Sequence, residues 1–237
     1  MLTCYNRQKD SGTINSVEGK VLAMKIIMQG IEILVEDCDH YLQINDISST
    51  DLRIIWEQIK TEYPNYEKWF CFRNTDVPIA LLDELGAVIE DDCTQMRLFP
   101  DKLIHSASFD IERVTNETFN EFAALHDARI TNMYWTGERL GRDISKWGIF
   151  CLRHNKRITD YLIMSMRDPY EAEIFCVEAS DGIKCKELIA FAAKFAFDNG
   201  KNNVLYMSDD NVIYDAALSV GFAVTGFYKG YGIKPSR

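Results

Sequence analysis

Seven cysteines and four histidines carry the most reactive side chains of this 237-residue chain. The cysteines (Cys4, Cys38, Cys71, Cys93, Cys151, Cys176, Cys185) are odd in number and form no CxxC pair. The histidines (His40, His105, His126, His154) are scattered, so no metal-ligand spacing emerges and no metal is expected. The pattern reads as reduced thiols in a cytoplasmic protein, without a disulfide framework. A nucleophilic cysteine needs a histidine partner, and neither Cys176 nor Cys185 has one nearby in sequence; both read as small buried hydrophobes. The aromatic run Met133-Tyr134-Trp135 either lines a pocket or closes the core.

Bulk properties narrow the partners. Hydrophobic residues make up 47% and charged residues 26% of the chain, enough to build a core without disulfide or metal support. The net charge of −10 argues against a nucleic-acid surface, which needs clustered Lys and Arg, and suits a cationic acceptor such as an amine. No apolar run reaches membrane-spanning length, and MLTCYNRQKDSG lacks the apolar stretch of a signal peptide.

Periodicity supplies the elements. Two strand-like runs, 21–29 and 31–36, meet at Gln29-Gly30 as a hairpin. A helix capped by Ser48, Ser49 or Thr50 follows, with Leu52, Ile55, Trp56 and Ile59 on one face and Pro64 beyond its end. KWFCF (68–72) is a buried strand, IALLDEL a short helix ended by Gly86, and TQMRLF (94–99) a returning strand. A domain boundary is expected near 101–106, dividing the chain into 1–104 and 105–237. The second half begins with strand FDIERV (109–114) and a helix capped by Thr115 or Asn116. Strands 147–153 and 158–166 meet at the turn His154-Asn155-Lys156, and strand EIFCVEA (173–179) leads to helix KELIAFAAKFAFDNG. Strand NVLYMS, short helix NVIYDAALSV, Gly221 and an aromatic strand from Phe222 complete the chain. This order is α/β with a mixed sheet flanked by helices.

Two stretches resemble the GNAT superfamily of N-acetyltransferases: strand EIFCVEA with the helix after it, and NVLYMS with Asp209-Asp210-Asn211, a short helix, Gly221-Phe222 and a strand ending FYKGY. Residues 20–99 look like a second, degenerate GNAT-like half. The resemblance implies an acetyl-CoA-dependent N-acetyltransferase acting by direct attack of a small-molecule or protein amine. The alternative is a GNAT-fold binding or regulatory module without turnover. It implies that the strand before the long helix splays from its neighbour and grips pantetheine through backbone groups of Cys176 and Val177. The diphosphate would meet Gly182, Ile183, Lys184, Cys185 and Lys186 at the helix head, and Asn211 would contact the cofactor or cap its own helix. The family's glycine-rich loop is altered: Ser180, Ile183 and Cys185 stand at its three marked positions. Glu173 would serve as base and Tyr214 as acid, with Tyr228 and Tyr231 as rivals, because Ala217 stands where the family has its tyrosine. Tyr134 and Trp135 would face the acceptor.

Overall fold

A computed structural model describes residues 16–17, 20–21, 24–36, 40–130 and 135–235. Two compact units share them. One is built from Cys93–Thr225; the other combines the residues up to Asp92 with those from Gly226 onward. The mixed α/β class expected from the element order is present in both.

The unit that ends at Asp92 opens with a short ladder, β1 (Ser16–Val17) against β2 (Lys20–Val21). Strands β3 (Met24–Met28) and β4 (Ile31–Glu36) then form the expected hairpin. Gln29 and Gly30 both have positive φ, the twist that a two-residue turn needs to match its strands. β5 (Tyr41–Asn45) runs antiparallel to β4 and parallel to β6 (Glu67–Arg73), with helix α1 (Ser49–Glu62) as the crossover. Ser48 caps α1 by accepting from the Asp51 amide, and Leu52, Ile55 and Ile59 are buried. Helix α2 (Ile79–Glu84) and strand β7 (Val88–Leu98) follow.

The Cys93–Thr225 unit repeats this order. β8 (Glu112–Arg113) edges a sheet that continues through β9 (Trp147–His154), β10 (Arg157–Ser165), β11 (Glu171–Glu178), β12 (Asn203–Ser208) and the second half of β7. Only β11 and β12 are parallel, joined by helix α5 (Gly182–Asp198). Helices α5 and α6 (Asn211–Val220) bury one face of the sheet; α3 (Phe119–Arg129) and α4 (Gly137–Gly141) cover the other. α5 packs through Leu188, Ile189 and four alanines, so its backbone lies close to the strands. Each such buried leucine contributes about 1.5–3 kcal/mol.

Several expectations are corrected. FDIERV supplies only the two-residue β8, because Val114 leaves the ladder after its amide bonds to Ile149 O. α3 starts at Phe119, after Thr118, instead of at Thr115 or Asn116; the Thr118 hydroxyl accepts from the Thr115 amide and holds that turn. Cys93 is disulfide-bonded, whereas Cys71, Cys151, Cys176 and Cys185 are free. The two compact units change over between Asp92 and Cys93 and again between Thr225 and Gly226. β7 leaves one unit to pair with β12, and the end of β13 (Ala223–Ile233) pairs with β6 from Tyr228 to Ile233. No described helix is long and apolar enough to cross a membrane.

Two polar devices hold α5 and α6. Glu187 is 4% exposed yet accepts from His105 Nε2 at 2.8 Å, the Ser108 amide at 2.5 Å and the Phe109 amide at 3.1 Å. Burial alone would raise its carboxyl pKa, but these donors outweigh burial and hold it below the ordinary range. At the end of α6, Gly221 has φ 117°, and an added Cβ would lie 1.9 Å from the Lys102 carbonyl oxygen.

Gly221→Ala is therefore expected to cost at least about 2 kcal/mol, since positive φ and a backbone clash act together. Urea unfolding should show a lower midpoint with an unchanged slope. Glu187→Gln should cost about 1–3 kcal/mol near neutral pH. Because the folded carboxyl titrates lower than the unfolded one, its contribution is full above the unfolded pKa and fades as pH falls below about 4. The gap between wild type and variant should narrow there in a pH series of unfolding curves.

Candidate functional site

The parallel pair β11–β12 is in register only from Glu171↔Asn203 to Ile174↔Tyr206. Beyond that, Phe175–Glu178 have no partner on β12, while Cys176–Glu178 keep their antiparallel partners on β10. A β-bulge lies at the parting point. Ile163 pairs with Cys176 and Met164 with Ile174, which leaves Phe175 as the extra residue. Phe175 and Cys176 consequently both join the core beneath α3 and α4, while Ile174 and Val177 join the core beneath α5. Such a bulge bends its strand and sharpens the twist. The equivalent pair in the other unit shows no parting: every residue of β5 pairs with β6, and the Asp46 amide adds a bond to Cys71 O at 2.7 Å.

The head of α5 differs from the expected loop. The helix begins at Gly182, so Gly182, Ile183, Lys184 and Cys185 form its first turn. Asp181 caps it, its Oδ1 accepting from the Lys184 amide at 2.9 Å. The side chain of Asp160, on β10, is fully buried. Its Oδ1 accepts from the Ser180 amide at 2.6 Å, and its Oδ2 from Thr159 Oγ1 at 2.7 Å and Lys184 Nζ at 3.2 Å. Lys184 Nζ also donates to Ser180 Oγ at 2.7 Å. Burial pushes the Asp160 pKa up, but these donors reverse the direction and keep it ionised. Lys184 is thus directed at the protein's own carboxylate, and Lys186 is half-buried on the next turn. Sequence reasoning missed Asp160; its only signal was one acid in the otherwise apolar strand ITDYLIMSM.

The neighbouring helix head is organised alike. Asp210, and not Asn211, caps α6, with Oδ1 accepting from the Val212 and Ile213 amides at 2.8 and 3.1 Å. Asn211 is the exposed first residue of the helix. Val212 lies 3.5 Å from where a side chain on Gly182 would begin, so the two heads sit side by side. Burial, with Asp210 and Asp181 adding to it, pushes the Cys185 thiol up to about 12, and burial also raises the Cys176 thiol well above its ordinary value. Neither is a thiolate at neutral pH.

Glu173 is 9% exposed, beside Ser165 on β10 and Leu205 on β12. Near it, Arg97 joins Glu171 and Asn203 in a polar cluster. Tyr214 is half-buried against the core beneath α5, one turn before the fully buried Ala217. Tyr228 and Tyr231 belong to the other unit, where Tyr228 Oη lies 3.2 Å from Cys71 Sγ and Tyr231 meets Phe72 edge-on. Tyr134 lies outside the described residues. Trp135 is buried against Trp147 and Phe175, with the Arg167 guanidinium over both indoles. His126 fixes this wall. Its Nε2–H donates to Trp135 O at 2.8 Å, so Nδ1 accepts from Tyr161 Oη at 3.0 Å, and burial lowers its pKa to keep the ring neutral.

No protein-family model matches the chain, and no curated protein matches it in sequence. Solved structures do match in fold. A GCN5-related N-acetyltransferase from Kribbella flavida superposes with a TM-score of 0.67 at 11% identity, over 91% of this chain and 90% of its own. A tandem GNAT protein from the clavulanic acid biosynthesis pathway gives 0.55 at 10%, over 94% and 82%. Saccharomyces cerevisiae N-myristoyltransferase with bound myristoyl-CoA gives 0.55 at 11%, over 90% and 64%. The parted β11–β12 pair, the helix that follows it and these superpositions together give the chain the GCN5-related N-acetyltransferase fold.

Proposed function

We propose that the chain is an acyltransferase that moves an acetyl group from acetyl-CoA to an amine of a small molecule or protein. The observation that carries this reading is the one-sided parting of β11 from β12, which leaves the Phe175–Glu178 backbone open on one edge. Peptide groups freed in this way suit the amides of a pantetheine arm, which adds to the edge as a short strand would. Cys176 and Val177 contribute backbone only, consistent with their buried side chains. Asn211, exposed at the head of α6, is the polar side chain we assign to donor contact.

Bound acetyl-CoA supplies an acyl group on a thioester. In the reading proposed, Glu173 accepts a proton from the attacking amine as its nitrogen bonds to the carbonyl carbon. The C–S bond breaks, and Tyr214 returns a proton to the sulfur. The wall of Trp135, Trp147 and Phe175 would keep water from the acceptor side. The reading gives the site to the domain spanning 105–237. The segment 1–104 is then a degenerate GNAT-like copy, a view supported by its closed β5–β6 pair and by the likeness to a tandem GNAT protein.

A second reading, a binding or regulatory module without turnover, is favoured by two observations: the buried Ala217 at the family's tyrosine position, and Asp160 against the head of α5. An amine panel incubated with acetyl-CoA, with mass spectrometry for the amide and a thiol reagent for released CoA, separates the two. Glu173→Gln should lower kcat about 10²–10⁴-fold with donor binding intact, and Tyr214→Phe should lower kcat more than it raises KM. Donor binding without any acylated amine would select the second reading. Absence of donor binding would sink both.

A further inference from the structure

Resting on the acyltransferase reading, the two ends of the proposed donor site differ in kind. The notch beside Phe175–Glu178 offers uncharged peptide groups. The head of α5, where unpaired amides and the helix dipole would attract a diphosphate, is already filled with negative charge. The buried Asp160 carboxylate takes the Ser180 amide at 2.6 Å and the Lys184 ammonium at 3.2 Å. Asp181 takes the Lys184 amide, and Asp210 caps the adjacent α6. An incoming diphosphate would find the Ser180 and Lys184 amides and the Lys184 ammonium engaged, and would face the carboxylates of Asp160, Asp181 and Asp210, the first of them fully buried and so poorly screened.

We propose that this protein recognises its acyl donor through the pantetheine arm alone, the carboxylate of Asp160 occupying the seat that a donor diphosphate would take. The donor class is a pantetheine thioester whose nucleotide, if present, lies outside the contacts that set affinity. The acyl transfer itself is unchanged: the amine nitrogen replaces sulfur at the carbonyl carbon, and the thiol leaves with one proton.

Calorimetry on the full chain with CoA, pantetheine and 3′,5′-ADP tests this without requiring turnover. CoA and pantetheine should bind within about tenfold of each other, a difference no larger than about 1.4 kcal/mol, and 3′,5′-ADP should not bind at millimolar concentration. Where an acceptor is in hand, acetyl-pantetheine and acetyl-CoA should give kcat/KM values within the same range. CoA binding a hundredfold or more tighter than pantetheine, or clear binding of 3′,5′-ADP, overturns the proposal while leaving the acyltransferase reading standing. Failure of both CoA and pantetheine to bind removes that reading as well. Asp160→Asn adds a second arm. The amide oxygen still accepts from Ser180, but the charge is gone and Lys184 is released. CoA should then tighten about tenfold or more, with pantetheine unchanged. A folded variant, judged by its circular dichroism, with unaltered CoA affinity would dismiss Asp160 from the role. If the variant does not fold, the wild-type comparison decides.

Discussion

One extra residue in β11 governs the geometry of the whole Cys93–Thr225 unit. With Phe175 inserted opposite β10, the strand cannot keep step with both neighbours. It stays with β10 and abandons β12 after Ile174. The bulge also sends two successive side chains to the same face, so that Phe175 completes the aromatic group of Trp135 and Trp147 while Val177 returns to the core beneath α5. A single backbone irregularity thus opens an edge on one side and packs a wall on the other. The β5–β6 pair, which has no such insertion in its ladder, remains closed along its length.

Electrostatics then divides the opened region. Asp181 takes the Lys184 amide at the head of α5 and Asp210 the Val212 and Ile213 amides at the head of α6, and a carboxylate at that end of a helix is favoured by the macrodipole. Asp160 reaches the same region from a strand and is stabilised by three donors, one of them a lysine. Removing one partner from such a buried group leaves the others unsatisfied, which makes the arrangement self-reinforcing. Part of what recommends the heads for an anion in general is here taken up within the fold.

Much of the architecture was legible in the sequence because it follows from local rules. The Gln29-Gly30 hairpin, the Ser48 cap, the apolar face of α5 and the stop at Gly221 each depend on residues within a few positions of one another. The parting strand was anticipated only through the family resemblance, since nothing in EIFCVEA marks where a bulge falls. The features that were not legible are non-local. Ser180 reads as a loop residue until Asp160, twenty positions earlier, is seen to bind its amide. The apolar periodicity of α5 begins only at Lys186, whereas the helix starts one turn earlier, at the Asp181 cap. Glu187, a charge within an apolar helix face, is buried by contacts from the distant 105–109 segment, which no local pattern reveals.

The allocation of β7 and β13 has a consequence for how the chain comes into being. Strand β6 acquires its antiparallel neighbour from residues 228–233, which are synthesised only after the whole Cys93–Thr225 unit. The unit that contains β6 therefore cannot close its sheet before residues 228–233 emerge, and its bare β6 edge waits through the emergence of the entire Cys93–Thr225 unit. Such an exposed edge is open to mispairing, and so long a separation in sequence slows closure. A nascent chain halted after residue 104 would hold a β6 strand without its antiparallel partner.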